Sequence, residues 1–139
     1  RGAGTAAFRI NPDLALVVEA TTCADTPETE EHGEATRLGQ GPAVSLMDAT
    51  SIADRRIVRH LVELAEKNGI PIQYRRATAG GNDSGRIHLT RTGVPTASLS
   101  VPCRYLHSPV CVISLQDLEY TIQLLGLFLD SIQEGGFRL

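Results

Sequence analysis

Apolar residues recur along this chain in two patterns, one typical of buried strands and one typical of amphipathic helices. Strands that are buried on both faces are almost continuously apolar over roughly four to eight residues. Runs of this kind predict strands at 14–20, 43–47, 70–74, 96–101 and 110–113. Gly, Pro, Asn and Asp residues separate the runs, as expected where a chain turns.

Residues 51–68 predict a long helix, because their apolar side chains recur at helical spacing. The predicted buried face consists of Ile57, Val58, Leu61, Leu64 and Ala65. Ser51, with Asp54 three residues later, matches a capping box at the N-terminus. Lys67 suits the negative end of the helix dipole, and Gly69 ends the helix.

A second long helix is predicted near the C-terminal end of the chain. Ser114 and Asp117 form a second capping box, and Gly135-Gly136 closes the helix. Its predicted apolar face consists of Leu118, Ile122, Leu125, Leu129 and Ile132. Spacing alone therefore gives both long helices one face for the core.

Strands alternate with helices over residues 1–139, and this order predicts one α/β domain with a largely parallel sheet flanked by helices. A short helix over 85–92, with Asp83 as its cap, follows the turn at Gly80-Gly81-Asn82. A chain of this length is sufficient for one hydrophobic core.

Composition excludes several classes of function. The chain of 139 residues carries 13 basic and 16 acidic residues, with three Phe and three Tyr, so it offers little to a nucleic acid. No run of about 18 apolar residues could span a membrane, and residues 1–5 have no signal-peptide organisation. The three cysteines are interpreted as reduced thiols of a cytoplasmic protein.

Three polar residues follow predicted strands, which is where open α/β sheets bind ligands. Asp25 follows the first strand, Asp83 the third and His107 the fourth. A carboxylate and an imidazole are zinc ligands, and His107 also suits a general base. The alternatives are an Asx-turn for Asp25 and a hydrogen-bonded core histidine for His107. Because a catalytic zinc site needs three protein ligands, the residues alone predict only part of a metal site.

Two further motifs leave their chemistry open. Cys103-x3-His107-x3-Cys111 carries zinc ligands, but its spacing differs from that of paired cysteines, and Cys111 also suits the core. The Gly-rich segment 80–85 fits either an anion or substrate backbone, or a plain turn before a helix. It matches neither the P-loop nor the dinucleotide fingerprint. The chain has no Gly-x-Ser-x-Gly elbow, which disfavours acyl-enzyme chemistry.

The remaining charged residues are assigned structural roles. The acidic stretch with Glu28, Glu30, Glu31, His32 and Glu34 is predicted to be a solvated loop. His60 and His88 fall inside predicted helices and are interpreted as surface or packing residues.

Several short motifs run in order along almost the whole chain. They are Arg1-Gly2-Ala3 with Thr5-Ala6-Ala7, Asn11-Pro12-Asp13, Ala24-Asp25-Thr26-Pro27, Leu38-Gly39-x-Gly41-Pro42, Gly80-Gly81-x-Asp83 with Ile87-His88-Leu89-Thr90-Arg91, Gly93-Val94-Pro95-Thr96, and Arg104-Tyr105-x-His107-Ser108-Pro109. In these motifs the sequence resembles the M42 family of metallo-aminopeptidases, which includes glutamyl, leucyl and lysyl aminopeptidases.

The resemblance implies a three-layer zinc-peptidase-like fold, with a mixed, largely parallel sheet flanked by helices, and two divalent metal ions, zinc or cobalt. It places one metal ligand on Asp25 and the final one on His107, serving different ions of the pair. Gly80, Gly81 and Asp83 would border the substrate pocket. A peptide substrate and a homo-oligomer, in some members as large as a dodecamer, are also implied.

By the same resemblance, the other ligands, the general-base Glu and an inserted dimerisation domain would lie upstream of Arg1. The chain would then be the C-terminal portion of the catalytic domain and inactive alone. Gln40, Asn82, Cys111 and the loop at Glu28–Glu31 depart from the family pattern, which leaves substrate preference open. The competing hypotheses are a non-catalytic peptide-binding or assembly module of the same fold, and another two-metal hydrolase such as a carboxypeptidase or deacylase.

Overall fold

The computed structural model describes residues 1–27, 29, 33–133, 135–137 and 139. Helices and strands alternate along these residues as the sequence predicts. In chain order they are α1 (Gly2–Ile10), β1 (Ala15–Thr22), β2 (Ala43–Val44), α2 (Arg55–Lys67), β3 (Gln73–Tyr74), α3 (Ser84–Ile87), β4 (Thr96–Arg104), β5 (Val112–Ile113) and α4 (Leu115–Gln133).

The strands form one mixed sheet in the order β1-β4-β2-β3, with β5 paired to β4. β1 and β4 run parallel, in register from Ala15↔Thr96 to Thr22↔Cys103. β2 is antiparallel to β4 and parallel to β3, and β5 is antiparallel to β4. The predicted α/β class with a mixed sheet is confirmed, although among the described residues two strand pairings are parallel and two are antiparallel. The longest pairing, which is parallel, brings the carboxyl ends of β1 and β4 side by side.

The hydrophobic core lies between the sheet and the helices α2 and α4, which pack against each other and against β4. Leu61, Leu99, Leu124 and Phe128 are each at most 1% exposed. Burying each of these side chains contributes on the order of 2 kcal/mol. This layer fixes β4, and with it the loop that follows β4.

The prediction for α2 is right about its buried face and wrong about its cap. Ile57, Val58, Leu61 and Ala65 are buried. The N-cap is Asp54, whose carboxylate accepts a hydrogen bond from the backbone N–H of Arg56 at 2.8 Å. The hydroxyl of Ser51 instead lies 3.0 Å from that of Ser84. Ser51 belongs to a turn in which Asp48 accepts its backbone N–H, so it cannot also cap the helix.

The predicted face of α4 is wrong for most of its residues, although Leu125 does pack against the core. The buried row is Asp117, Thr121, Leu124 and Phe128, whereas Ile122 is 62% and Leu129 50% exposed. Apolar residues surround much of this helix, so their spacing does not select one row. Polar partners select it, because the Asp117 carboxylate accepts the backbone N–H groups of Gly39 at 2.7 Å and Gly41 at 2.9 Å.

The predicted N-terminal cap of α4 is confirmed in part. The Ser114 hydroxyl accepts the backbone N–H of Asp117 at 3.3 Å, as in a capping box. The carboxylate of Asp117 does not reach back to Ser114, because it is committed to the 39–41 turn. One buried side chain thus fixes both the start of α4 and the turn before β2.

Three other boundaries differ from the prediction. β4 continues through Pro102 to Arg104, which were predicted as loop, because β1 keeps pairing with it to Cys103. α3 is only four residues long, and Asp83 makes no side-chain cap there. The side-chain oxygen of Asn82 accepts the backbone N–H of Ser84 at 2.8 Å instead.

α1 was not predicted. Two of its first three residues are glycines, whose low helix propensity argues against a helix at this position. The available signal was at its end, where Asn11 adopts a left-handed conformation, with φ of 52°, and donates to the carbonyl of Ala7 at 2.8 Å. Pro12 then follows, as is common after a helix C-cap.

Candidate active site

A cavity of about 510 Å³ lies beyond the carboxyl ends of β1 and β4. That volume is in the range of small-molecule and peptide-side-chain pockets. The parallel pairing explains its position, since both strands deliver their following loops to the same edge of the sheet. Its polar lining includes Glu19, Asp48, Arg75, Asn82 and His107, together with Gly80 and Gly81.

Glu19 is the charged residue of β1 and lines this cavity. The side-chain amide of Asn82 donates to its Oε1 at 2.9 Å. Burial raises the pKa of the Glu19 carboxyl, and the hydrogen bond from Asn82 and the charge of Arg75 only partly oppose it. The nearby carboxylates of Asp48 and Asp83 add to the rise in pKa. Glu19 is therefore a half-buried acid whose negative charge is incompletely neutralised.

Arg75 does not pair with Glu19, because its guanidinium is used elsewhere. Its Nε donates to the Thr21 hydroxyl at 3.0 Å, and its terminal nitrogens donate to the carbonyls of Ala77 and Ala79. These bonds hold the 77–79 segment against the end of β1. Arg75 shapes the cavity wall and leaves Glu19 without an ion-pair partner among the described residues.

His107 lines the same cavity from the loop between β4 and β5. Its side chain is exposed, and its backbone is left-handed, with φ of 68°. Tyr105, two residues earlier, is also left-handed, with φ of 59°. Such conformations are unfavourable for residues that carry side chains, so the loop is strained where it holds His107 at this position.

Asp25 lies outside the 510 Å³ cavity and borders a second one of about 400 Å³. Its carboxylate is held bidentately by Arg104, with Nε at 2.6 Å from Oδ1 and the second nitrogen at 3.0 Å from Oδ2. The backbone N–H of Leu38 donates to Oδ2 at 3.1 Å. The hydrogen bond from Arg104 lowers the pKa of Asp25 against the opposing effect of burial. Asp25 is therefore a partly buried, neutralised carboxylate, and its role as a metal ligand stays a prediction.

The predicted substrate-binding turn is divided by the structure. Gly80 and Gly81 line the cavity, whereas Asp83 is not part of the lining. Gly81 is also needed for packing, because a Cβ there would lie 2.5 Å from the Thr50 hydroxyl. Gly80 has a φ of +77°, which favours glycine.

Glu34 corrects the interpretation of the acidic stretch as solvated. It is 9% exposed and pairs with the Nε of Arg37 at 2.6 Å. The other acids of that stretch, Glu28, Glu30 and Glu31, and also His32, lie outside the described residues. His60 is a packing residue, as predicted, stacked on Phe137 at 4.5 Å between ring centroids.

Whether this chain could bind a metal ion by itself depends on how many ligand side chains lie together. Across residues 1–27, 29, 33–133, 135–137 and 139, no group of three or more His, Cys, Asp or Glu side chains could hold an ion. That result covers the Cys103-His107-Cys111 motif. Glu19, Asp48 and His107 line one cavity, but Asp48 accepts hydrogen bonds from the backbone N–H groups of Thr50 and Ser51. That leaves Glu19 and His107 as two available donors, which is fewer than a catalytic metal requires.

Glu19, Arg75 and Asn82 were missed as site residues. Glu19 could have been identified from the sequence, because it is the single charged residue within the apolar run 14–20. Burying a charge in a strand is costly, so a charge at such a position indicates a functional role. Arg75 and Asn82 carried none, because their roles depend on contacts with residues more than 50 positions away, Thr21 and Glu19.

An α/β sheet with polar groups at the carboxyl ends of its parallel strands is typical of domains that bind a ligand at that edge of the sheet. The sequence profile of the M42 glutamyl aminopeptidase family matches residues 1–124. The chain belongs to this family, as its motifs indicated. Among the described helices, none is long and apolar enough to cross a membrane.

Related proteins agree with this assignment. The chain is 43% identical over 125 residues to a protein of Acetivibrio thermocellus named provisionally as an aminopeptidase, covering 90% of this chain and 37% of that protein. It is 30% identical over 139 residues to the lysyl aminopeptidase of Pyrococcus furiosus, covering 99% of this chain and 38% of that enzyme. The chain therefore spans little more than a third of the length of these relatives.

A solved structure has the same fold. Aminopeptidase APDkam598 of the archaeon Desulfurococcus kamchatkensis superposes with a TM-score of 0.87 at 38% identity, over 91% of this chain and 36% of that one. The TET1 peptidase of Pyrococcus horikoshii, described as assembling into a tetrahedron or a large octahedral shell, gives a TM-score of 0.74 at 34% identity, with the same coverage. The predicted zinc-peptidase-like fold is confirmed at the level of the fold.

Proposed function

We propose that the full-length protein hydrolyses N-terminal residues from peptides with the help of divalent metal ions, and that residues 1–139 are the C-terminal portion of its catalytic domain. The observation that carries this proposal is that Glu19 and His107 line one cavity at the carboxyl edge of the sheet. Membership of the M42 family supports the reaction class.

The donors present fit part of a metal site. His107 offers an imidazole on a fixed loop, and Glu19 offers a carboxylate whose raised pKa indicates that a nearby cation would stabilise its charged form. Bound zinc or cobalt ions would supply an activated water and a polarised peptide carbonyl. The other ligands and the general-base Glu would come from the rest of the protein.

Geometry favours Glu19 over Asp25 as the carboxylate that acts together with His107. Both Asp25 oxygens are occupied by Arg104, and Asp25 does not line the cavity. We propose that Asp25 positions the loop after β4, since Arg104 is three residues before His107. Asp25 as a ligand of a second ion remains the competing hypothesis.

The peptide would enter along the Gly80-Gly81 turn, where the missing side chain of Gly80 leaves the cavity wall open to a substrate backbone. Arg75 and Asn82 would orient the wall through their hydrogen bonds to Thr21 and Glu19. A cytoplasmic location and assembly into a homo-oligomer, as described for the TET1 peptidase of Pyrococcus horikoshii, complete the proposal.

The test is release of free amino acids from short peptides by the full-length protein, with N-acetylated peptides as the matched control. We expect release from free N-termini only, loss of release with a chelator, and recovery with zinc or cobalt. Release from the C-terminus, or cleavage of acylated substrates, would favour the carboxypeptidase or deacylase hypothesis. Peptide binding without turnover would favour the non-catalytic module.

A further inference from the structure

Two cysteines, Cys103 and Cys111, lie at the two ends of the loop that carries His107. Cys103 is the next-to-last residue of β4, and Cys111 immediately precedes β5. Antiparallel pairing places Cys103 opposite Ile113, so Cys111, two residues before Ile113, lies diagonally across on the same face of the strand pair. The pairing of β4 with β5 therefore brings two thiols together at the base of the loop.

The thiols of Cys103 and Cys111 are free and close enough to interact. Burial raises the pKa of the Cys103 thiol, and its hydrogen bond with Cys111 raises that pKa further. Diagonal neighbours across a strand pair have Cα atoms about 7 to 8 Å apart, whereas a disulfide joins Cα atoms about 4.4 to 6.8 Å apart. A disulfide here would therefore draw the two ends of the loop together by roughly 1 Å.

The loop between the two cysteines is able to rearrange, because its present conformation is strained. Tyr105 and His107 both have left-handed backbones, with φ of 59° and 68°. The backbone N–H of Ser108 donates to the carbonyl of Tyr105 at 3.1 Å, which closes a tight turn around His107. Strain of this kind lowers the cost of moving to another conformation. Since metal–ligand distances vary by only about 0.2 Å, even a small movement would take His107 out of position for an ion.

Cys23 is the other thiol near Cys103, and its surroundings disfavour it as the partner. Burial raises the pKa of the Cys23 thiol to about 11. The thiolate is the reactive form, so Cys23 is almost wholly in its unreactive form at neutral pH. Its backbone N–H also donates to the carbonyl of Cys103 at 3.0 Å, which extends the long pairing of β1 with β4 and fixes both residues. Cys111 lies outside the strands, so it is the thiol that can move toward Cys103.

We propose that Cys103 and Cys111 form a reversible disulfide on exposure to hydrogen peroxide, and that this disulfide weakens metal binding by His107. The Cys111 thiolate attacks one oxygen of the peroxide, the O–O bond breaks, and the hydroxide that leaves takes up a proton to form water. The Cys103 thiolate then attacks the sulfur of the resulting Cys111 sulfenic acid, the S–O bond breaks, and a second water leaves.

The electrons balance, because the two thiols together lose two electrons and the peroxide gains them. Disulfides of cytosolic proteins are usually transient and redox-sensing, and thiol exchange with a cellular dithiol would restore the reduced form. The effect on metal binding rests on the proposed function of His107, whereas the disulfide itself does not.

A peptide map of the full-length protein tests the disulfide directly. Trypsin cleaves after arginine and lysine, so it places Cys23, Cys103 and Cys111 in separate peptides, 10–37, 92–104 and 105–138. The protein is treated with hydrogen peroxide, its remaining thiols are alkylated, and it is digested without reductant. We expect 92–104 to be linked to 105–138, and tris(2-carboxyethyl)phosphine to separate them. Absence of this link, or a link of either peptide to a different one, would overturn the proposal.

Two variants control the peptide map. Cys23→Ala removes the competing thiol and should leave the link between 92–104 and 105–138 intact. Cys111→Ser should abolish the link, and 92–104 should then be recovered in its alkylated form. Loss of the link in Cys23→Ala would contradict the assignment of Cys111 as the partner of Cys103.

Zinc titration against a competing chelator tests the effect on His107. Oxidation should raise the zinc dissociation constant of the full-length protein roughly tenfold, as expected when a ligand loses its orientation, and removal of the oxidant with the phosphine should restore it. Cys111→Ser, treated in the same way, should keep its affinity. A mapped disulfide with unchanged zinc affinity would overturn the switch. Zinc affinity that does not respond to His107→Ala would instead count against the proposed function, and the peptide map would still decide the disulfide.

Discussion

Two polar clusters flank the carboxyl ends of β1 and β4, and they shift the pKa of their carboxyl groups in opposite directions. In the first, which we call the cavity cluster, Glu19 shares a cavity with Asn82 and His107 and has a raised pKa. In the second, the paired cluster, Arg104 and the backbone of Leu38 hold Asp25, whose pKa is lowered.

The difference separates a candidate chemical role from a structural one. A carboxylate that is fully paired with an arginine is stable and has little to offer a ligand. A half-buried carboxylate without an ion pair costs stability in the isolated fold, and such costs concentrate at functional sites. We therefore assign the chemistry to the cavity cluster and the positioning of its loop to the paired cluster.

The largest expected effect is on turnover by the cavity cluster. Glu19→Gln and His107→Ala should each lower kcat/KM of the full-length protein on the order of 1000-fold, because each removes a donor that the reaction needs. Stability should change little, since the amide oxygen introduced by Glu19→Gln can still accept from Asn82, and His107 is exposed. Glu119→Gln, on the surface of α4, is the matched control. Near-normal turnover of Glu19→Gln would contradict the assignment of the chemistry to the cavity cluster.

Substitutions in the paired cluster should lower the stability of the protein. Arg104→Ala should lower the free energy of unfolding by about 2 kcal/mol, because it leaves the largely buried Asp25 carboxylate without its cation. Asp25→Ala should lower it by less, because water can solvate the more exposed Arg104. Urea titrations of the two variants and of the double variant form a cycle, in which the double variant should cost less than the sum. If Asp25→Ala loses metal while Arg104→Ala retains it, Asp25 is a ligand and the comparison fails.

The floor of the cavity should show a packing effect. Gly81→Ala places a Cβ 2.5 Å from the Thr50 hydroxyl and should cost about 2 kcal/mol through overpacking. Thr50→Ala removes the nearest atoms, so the double variant should recover most of the loss. Thermal unfolding of the three variants measures this, and independent, additive losses would show that Thr50 does not contact Gly81.

A remote pair calibrates what a structural ion pair contributes. Asp54 caps α2, and its hydrogen bonds from Arg56 lower the pKa of its carboxyl. Because the folded-state pKa is lowered, the stabilisation is present above the unfolded value of 3.8 and is lost as the pH falls. Asp54→Asn keeps an N-cap acceptor and removes only the charge, so it should destabilise the protein slightly near pH 7, and this cost should disappear as the pH falls below the folded-state pKa. A cost independent of pH would contradict the assignment.

The class of fold was readable from the sequence because the strands and the α2 face are marked by apolar spacing alone. Ile57, Val58 and Leu61 all face the core as predicted. The same rule failed for α4, where apolar residues lie on several sides and the buried Asp117 sets the orientation. Apolar spacing therefore predicts the buried face of a helix only where polar residues occupy all the other sides.

The sequence predicted where the candidate site lies, but it predicted only some of the residues that form it. His107 and Gly81 follow strands and do line the cavity. Asp25 also follows a strand, yet the cation that pairs with it, Arg104, is 79 residues away in sequence, so no local pattern could show that it is paired. Glu19 lies inside a strand, which position-based reasoning passes over, although its charge in an apolar run was visible.

The most direct test of the central claim is the metal content of the full-length protein, measured by inductively coupled plasma mass spectrometry after loading with zinc and dialysis. We expect Glu19→Gln and His107→Ala to lose bound metal, and Arg104→Ala, folded at the temperature of the assay, to retain it. Full metal occupancy in both Glu19→Gln and His107→Ala would contradict the assignment of the cavity at the ends of β1 and β4 as the metal-binding site.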